Sequence, residues 1–127
     1  MGRKNYLIDT NVAIYYFGLT LSKESEKYLD QILVGTYFIS VINRIELLGF
    51  NPININESEA INSFITNATI LELDEAIIVK TIYIRKNYSI KLPDAIIAAT
   101  CLVNGCSLIT NNIRDFEKIS GLHLIKL

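Results

Sequence analysis

Four acidic residues of this sequence are spaced so that they could form one oxygen-rich metal site. Asp9, Glu46, Asp94 and Asp115 follow separate apolar segments, and the set contains no histidine or cysteine. Carboxylate oxygens alone suit Mg²⁺ or Mn²⁺. Such an ion activates water and stabilises a leaving oxygen, as phosphodiester cleavage requires. Metal-free acid–base chemistry fits less well, because so many close like charges would not all stay ionised unaided.

Each of these carboxylates also has an ordinary structural explanation. Asp9 could cap a following helix, Asp94 could favour the first turn of a helix, and Asp115 could shape a polar loop. Glu46 lies beside apolar helix positions, where an unpaired buried carboxylate would be costly. It could instead reach solvent or pair with Arg44, and a metal ion would compensate it more completely.

The elements that must position these residues alternate between strands and helices. Apolar runs predict five buried strands, and Ser22 and Ser40 are suited to cap the helices that follow them. The sequence therefore predicts one α/β domain over residues 1–127, a central parallel sheet of about five strands with helices on both faces. The predicted strands are residues 6–8, 37–40, 69–73, 107–110 and 123–127, and the predicted helices are residues 22–34, 41–48, 57–66, 74–87 and 94–103.

This arrangement would bring the acidic residues to one edge of the sheet. In open parallel sheets, ligands bind beyond the carboxyl ends of the strands, near the point where the strand order reverses. Asp9 follows the first strand, Asp115 the fourth, and Glu46 lies on the helix after the second. Asp94 begins a helix that is apolar on every side and is therefore expected to be central.

Composition places the chain among ordinary globular proteins. Its 127 residues are 50% hydrophobic with a formal net charge of −1, which excludes intrinsic disorder and nucleic-acid binding through bulk positive charge. Without the four acids, nine acidic residues remain against twelve basic ones. Between residues 76 and 93 all charges are basic, and they either line a solvated helix face or guide a phosphate backbone. They are Lys80, Arg85, Lys86 and Lys91.

Cysteine and histidine usage indicates no further site. Cys101 and Cys106 fit neither a redox pair nor a zinc knuckle, so reduced core residues are expected. His123, the sole histidine, is expected to be structural. No apolar run is long enough for a signal peptide or a membrane span, so a cytoplasmic protein is predicted.

Four segments, in order along nearly the whole chain, resemble motifs of the PIN-domain family, and in particular its VapC-type ribonuclease toxins of toxin–antitoxin pairs. They are Leu7-Ile8-Asp9-Thr10-Asn11, Arg44-Ile45-Glu46-Leu47, Pro93-Asp94-Ala95-Ile96-Ile97-Ala98-Ala99 and Thr110-Asn111-Asn112-Ile113-Arg114-Asp115-Phe116.

The resemblance implies a Mg²⁺- or Mn²⁺-dependent endoribonuclease. By analogy, Asp9, Glu46 and Asp94 are the core acids, and either Asn112 or Asp115 fills the fourth position. Asp115 is expected to contribute, so the implied metal ligands are Asp9, Asp94 and Asp115. In this mechanism an activated water attacks the phosphate, and Asp94 or Glu46 takes its proton. The supporting residues would be Thr10 and Asn11 in the first loop and Thr110 and Asn112 in the last.

The resemblance also implies partners: an RNA substrate, a cognate antitoxin protein and a second copy of the chain. Residues 15–19 are a candidate antitoxin surface, unless they pack within their own domain. Helices between residues 57 and 87 would form the dimer face. Arg85 and Lys86 would bind the RNA backbone.

Two other functions stay open at this stage. An aspartyl-phosphate hydrolase of the haloacid dehalogenase type would use Asp9 as its nucleophile. Such enzymes carry a second aspartate two residues later, where this chain has Asn11, and no Ser/Thr-then-Lys arrangement is evident. A non-catalytic α/β module that binds RNA or a protein is the other alternative.

Overall fold

Five short parallel strands form one sheet at the centre of the fold in the computed structural model, which describes residues 4–127. The strand order is β3-β2-β1-β4-β5, and every pairing is parallel. The predicted α/β class and five-stranded parallel sheet are therefore confirmed, while Met1, where the predicted domain begins, lies outside the described residues. The strands are β1 (Asn5–Ile8), β2 (Phe38–Ser40), β3 (Thr69–Leu71), β4 (Cys106–Ile109) and β5 (Leu124–Ile125).

Seven helices connect these strands in the described part of the chain. Ser22 and Ser40 cap the second and third helices through their side chains, as predicted. The polar segment 110–116 contains a short helix where a loop was one expectation. The helices are α1 (Thr10–Phe17), α2 (Lys23–Leu33), α3 (Val41–Leu48), α4 (Ile55–Asn67), α5 (Glu75–Asn87), α6 (Leu92–Asn104) and α7 (Ile113–Phe116).

The sheet separates two apolar layers, because successive side chains of a strand point to opposite faces. In β1, Leu7 packs in the layer that contains α5 and α6. Its neighbour Ile8 packs in the other layer, against residues of α1 to α4. Both side chains are almost completely buried. Helices thus cover both faces, and the carboxyl ends of β1 and β4 lie side by side at the centre.

Helix α6 runs through the core, as its apolar composition predicts. Seven consecutive residues from Ala95 to Cys101 are buried. Its last turn ends at Gly105, whose φ of 66° lies in the left-handed region that glycine adopts without strain. The core therefore fixes where α6 begins, and with it the position of Asp94 in its first turn.

The remaining sequence predictions for this part of the chain concern single residues. Cys101 and Cys106 are free and buried, and burial raises the pKa of both thiols, to about 11 for Cys106. His123 is exposed, directly before β5, and its Nδ1 lies 2.8 Å from the Ser107 hydroxyl.

Among residues 4–127, no helix has the length and apolarity that crossing a membrane would require.

Candidate active site

Asp9 lies at the carboxyl end of β1, where the strand order reverses. The strands β2 and β3 follow on one side of β1, and the chain then returns from β3 to add β4 and β5 on the other side of β1. Its backbone N–H donates to the Ile109 carbonyl of β4 at 2.9 Å. The carboxylate is 5% exposed and accepts from the Thr10 backbone N–H at 2.9 Å and the Thr110 hydroxyl at 2.7 Å. Asp9 also caps α1, so its structural explanation holds as well.

The surroundings of Asp9 disfavour its ionised form. Burial raises the pKa of this carboxyl from 3.8 to about 6, although the hydrogen bonds from Thr110 and Thr10 lower it. The negative charges of Asp94 and Glu46 raise it further. Asp9 is thus a nearly buried carboxylate close to two other acidic residues whose charges repel its own. It receives hydrogen bonds from neutral donors only.

Asp94 and Asp115 extend the acidic cluster on the α6 side. Burial raises the pKa of half-buried Asp94, and the charges of Asp115 and Glu46 raise it more. The Lys91 ammonium acts in the opposite direction. Asp115, in α7, accepts from the Asn112 side-chain amide at 3.0 Å. Electrostatic interactions therefore connect the four predicted acids: Asp9 and Asp94 each interact with Glu46 and with each other, and Asp115 interacts with Asp94.

Glu46 is exposed on α3 rather than buried against an apolar stripe. Its neighbour Ile45 is 62% exposed, so this side of the helix faces solvent, and only Asn43 and Leu47 of α3 are buried. Glu46 accepts from the Thr10 hydroxyl at 2.7 Å. The Glu46 carboxylate is therefore satisfied by solvent and by one neutral hydrogen-bond donor, and it is not buried.

The predicted supporting residues all lie around the acids. Thr10 contacts Glu46, and Thr110 contacts Asp9 while accepting from the Asn112 backbone N–H at 2.9 Å. The Asn11 side-chain oxygen accepts from the Asn111 backbone N–H at 3.5 Å. These contacts join Asp9 and the start of α1 to the loop after β4.

Asn43 is a member of the site that sequence reasoning missed. It is completely buried, and its amide nitrogen lies 3.0 Å from the Thr10 hydroxyl and 3.5 Å from the Asp9 carboxylate. Its side-chain oxygen accepts from the Ser40 backbone N–H in a capping box. The sequence signal was available: a serine three residues before a polar side chain, at the start of an apolar helix, is the capping-box pattern.

The donor set fits a hard divalent cation in its chemistry. Neighbouring acids raise the pKa of Asp9 and of Asp94, and the Asn111 side-chain oxygen in the loop after β4 is buried without a hydrogen-bond partner. Both features suit a cation that takes oxygen ligands. As the side chains are placed, however, no three histidine, cysteine or acidic residues within residues 4–127 are gathered closely enough to ligate one ion.

Of the two predicted substrate-binding residues, only Arg85 lies beside the acids. It lines an open groove of about 360 Å³ together with Ser89, Ile90, Lys91 and Asp115. Its guanidinium donates to the Ile90 carbonyl at 2.8 Å. Lys86 is exposed on α5 and does not line this groove, so the structure separates the two residues.

Comparison with solved structures finds this fold in bacterial toxin–antitoxin complexes. A toxin–antitoxin complex from Klebsiella pneumoniae matches with 28% identity and a TM-score of 0.75, covering 94% of this chain and 95% of that chain. VapBC2 from Rickettsia felis, bound to a promoter DNA fragment, matches with 21% identity and a TM-score of 0.80, covering 97% and 98%. DNA-bound VapBC from Salmonella typhimurium matches with 22% identity and a TM-score of 0.80, covering 98% of each chain.

The sequence itself was compared in two further ways. No curated protein sequence matches it. The sequence model of the PIN domain matches residues 6–122. This range runs from β1 to the segment before β5 and includes all four acids and their supporting residues, and on this match the chain belongs to the PIN domain family.

Proposed function

We propose that this protein is a Mg²⁺- or Mn²⁺-dependent endoribonuclease that hydrolyses RNA phosphodiester bonds, and that it is the VapC-type toxin of a toxin–antitoxin pair. The observation that carries the proposal is the acidic cluster around Asp9 at the centre of the sheet edge. Burial and neighbouring acids raise its pKa to about 6, and every hydrogen bond to it comes from a neutral donor. A divalent cation would compensate the negative charge of this cluster.

The four acids would have different roles, metal binding or proton removal, according to how buried each one is. Asp9, with Asp94 and Asp115, would hold the ion, and Asn112 would orient Asp115 through its amide. When bound, the ion would supply Lewis-acid stabilisation of the phosphate and lower the pKa of a water molecule. Glu46 is the most accessible acid and is already an acceptor, so it suits the removal of a proton from the attacking water. Asp94 is the other candidate for that role.

The fourth acidic position is best assigned to Asp115, with Asn112 as its support. Asp115 raises the pKa of Asp94, so its charge acts inside the cluster. Asn112 donates to Asp115, and its backbone N–H donates to Thr110. These two contacts support a role for Asn112 as a positioning residue for Asp115.

The experiment is RNA cleavage by the purified protein and by an Asp9→Asn variant, with Mg²⁺, with Mn²⁺ and with EDTA. We expect the variant to lose at least about 100-fold in activity, since even residues behind the metal ligands typically contribute 10- to 100-fold. EDTA should abolish cleavage by the wild-type protein. The control is Glu59→Gln, which removes an exposed carboxylate from α4 and should leave cleavage unchanged.

The possible results separate the candidate functions. Full activity of the Asp9→Asn variant, or cleavage that EDTA does not affect, would contradict the metal-dependent nuclease. RNA binding without cleavage by the wild-type protein would support a non-catalytic RNA-binding module instead.

An antitoxin partner is supported by a groove at the end of α1. Leu19 is 80% exposed with a φ of 59°, and Ile53 is 86% exposed. Together with the carboxylates of Glu26, Asp30 and Glu57 they line a cavity of about 490 Å³. Phe17 lines the same groove, and its ring also packs against Phe64 within the domain. Four of the five residues of the predicted surface 15–19 thus line this groove, all except Tyr15.

The composition of this groove indicates a partner segment with apolar and basic side chains. We expect a short protein encoded in the neighbouring reading frame to co-purify with this chain when the two are expressed together. Inhibition of cleavage by that protein would identify it as the antitoxin. If that protein neither co-purifies with this chain nor inhibits cleavage, the toxin assignment is contradicted. The proposed nuclease activity would be unaffected by that result. A cytoplasmic location follows from this proposal.

A further inference from the structure

A continuous hydrogen-bond chain runs from the start of α3 to the Glu46 carboxylate. The Ser40 backbone N–H donates to the Asn43 side-chain oxygen at 2.8 Å. The Asn43 amide nitrogen donates to the Thr10 hydroxyl at 3.0 Å, and that hydroxyl donates to Glu46 Oε1 at 2.7 Å. Its middle member, Asn43, has no exposed surface. We refer to the linked side chains of Asn43, Thr10 and Glu46 as the Asn43 chain.

The direction of this chain is fixed at its first step. A backbone N–H can only donate, so the Asn43 group that faces it must be the carbonyl oxygen. The amide nitrogen therefore faces Thr10 and occupies an acceptor site on the hydroxyl. Because a hydroxyl has a single proton, Thr10 uses it to donate to Glu46. If the Asn43 amide were reversed, its oxygen would compete with Glu46 for that proton.

The same amide also joins Glu46 to Asp9. Its nitrogen lies 3.5 Å from Asp9 Oδ1, and Thr10 is the next residue after Asp9 in the sequence. Glu46 itself is on an exposed side of α3, where a glutamate side chain otherwise samples several rotamers. The hydroxyl of Thr10 donates a hydrogen bond to its carboxylate. The orientation of Glu46 towards Asp9 thus depends on the Asn43 chain.

We propose that Asn43 is a positioning residue of the acidic site, which holds Glu46 towards Asp9 by fixing the direction in which the Thr10 hydroxyl donates. The inference rests on the proposed function, in which Glu46 acts beside a metal ion that Asp9 holds. It assigns to Asn43 a role in metal binding and cleavage beyond its part in capping α3.

A purely structural role for Asn43 makes a different prediction. In that case its only contribution would be the capping box, which it shares with Ser40. The Ser40 hydroxyl accepts from the backbone N–H groups of Ile42 and Asn43. A Ser40→Ala variant would lose these two bonds but keep the backbone N–H that orients Asn43. It is therefore the matched control for loss of the cap without loss of the chain.

The experiment compares Asn43→Ala, Thr10→Val, the double variant and Ser40→Ala with the wild-type protein. The first readout is the dissociation constant for Mn²⁺ without RNA, measured by titration under electron paramagnetic resonance. We expect Asn43→Ala and Thr10→Val each to weaken Mn²⁺ binding by about 10-fold, the effect typical of residues that orient metal ligands. The double variant should bind Mn²⁺ about as well as Thr10→Val, since both changes act through the same hydroxyl. Ser40→Ala should lower the melting temperature and keep the wild-type affinity.

The second readout is a crystal structure of the Thr10→Val and Asn43→Ala variants, which needs neither metal nor RNA. Release of Glu46 from its position near residue 10 in both variants supports the inference. An unmoved Glu46, or Mn²⁺ affinity that Ser40→Ala lowers as much as Asn43→Ala, overturns it. A wild-type protein that binds no Mn²⁺ and cleaves no RNA would refute the proposed function, and the crystal structures would still test the role of Asn43.

Discussion

Asp9 combines two properties that oppose each other, burial and negative charge. Burying an unpaired carboxylate destabilises a fold unless hydrogen bonds or a cation compensate it. Here the Thr110 hydroxyl and the Thr10 backbone N–H compensate in part, yet the pKa still lies near 6. The protein therefore keeps, at the centre of its sheet edge, a charge that costs folding free energy. This cost is typical of a site arranged for a ligand rather than for stability.

The raised pKa of Asp9 predicts how stability depends on pH. A carboxyl whose pKa is 3.8 unfolded and about 6 folded binds its proton more tightly in the folded state. Ionisation of Asp9 therefore lowers the free energy of unfolding. This loss is complete above pH 6 and disappears as the pH falls from 6 to 4. The difference between the two pKa values corresponds to about 3 kcal/mol in the free energy of unfolding. We expect Asp9→Asn to raise the free energy of unfolding at pH 8 in EDTA, with an advantage that shrinks towards pH 4.

Urea unfolding at pH 4, 5, 6, 7 and 8 measures this dependence. Glu59→Gln is the control, because it removes an exposed carboxylate and should show no comparable pH dependence. A constant difference between Asp9→Asn and the wild-type protein across this range would show that Asp9 titrates normally. Addition of Mn²⁺ at pH 8 should stabilise the wild-type protein more than the variant, because an ion that binds the folded state adds to its stability.

At the scale of helices and strands, most of the fold could be predicted because local patterns and tertiary packing agree. Ser40 and Gly105 mark the ends of their helices through chemistry that acts within a few residues. The seven buried residues of α6 are equally visible as an apolar run. Which residues share the sheet edge was also predictable, since parallel strands end together.

What could not be predicted depends on contacts between distant segments. Asn43 reaches Thr10 across 33 positions of sequence, and the local capping-box pattern indicates its bond to Ser40 but not this distant contact. The exposure of Glu46 depends on which side of α3 faces the sheet, and its apolar neighbour Ile45 gave the wrong indication. The separation of Arg85 from Lys86 likewise depends on how α5 is rotated against α6.

The groove lined by α5, the segment between α5 and α6, and α7 leads to a prediction about RNA binding. Arg85 and Lys91 line it together with Asp115, and Lys91 is close enough to Asp94 to lower its pKa. We expect Arg85→Ala to weaken RNA binding and to reduce the slope of log affinity against log salt by about 0.7, the value for one contact with a single-stranded phosphate. Lys86→Ala, which removes a neighbouring charge outside the groove, is the matched control.

Fluorescence anisotropy with a labelled single-stranded RNA in EDTA, at several salt concentrations, separates these variants without cleavage. Equal losses in Arg85→Ala and Lys86→Ala would indicate that α5 attracts RNA through its overall charge rather than through the groove. No loss in either variant would place the RNA elsewhere on the protein.

For the whole molecule, net charge is a poor guide to binding. The formal net charge of −1 is the sum over four clustered acidic residues and a remainder that has nine acidic and twelve basic residues. Apolar surface is distributed just as unevenly. Helix α5 exposes four large apolar side chains within two turns, between 38% and 57% exposed. These residues, which we call the α5 patch, are Ile78, Val79, Ile82 and Tyr83.

The α5 patch supports the proposed homodimer, because contiguous exposed apolar surface on a folded protein commonly marks an interface. A twofold dimer would place the same patch of each copy against its partner. We expect the wild-type protein to run as a dimer in size-exclusion chromatography with light scattering. Ile82→Glu should shift it to the monomer, because each copy would bury a carboxylate in the apolar interface. Circular dichroism will show whether the variant keeps its fold.

Val34→Glu provides the matched control for this change. Val34 is 88% exposed at the end of α2, outside the α5 patch, so the same substitution there should leave the dimer intact. Dissociation by Val34→Glu and not by Ile82→Glu would move the interface away from α5. A wild-type protein that stays monomeric at micromolar concentration would leave the α5 patch exposed in solution, and the homodimer would then be wrong.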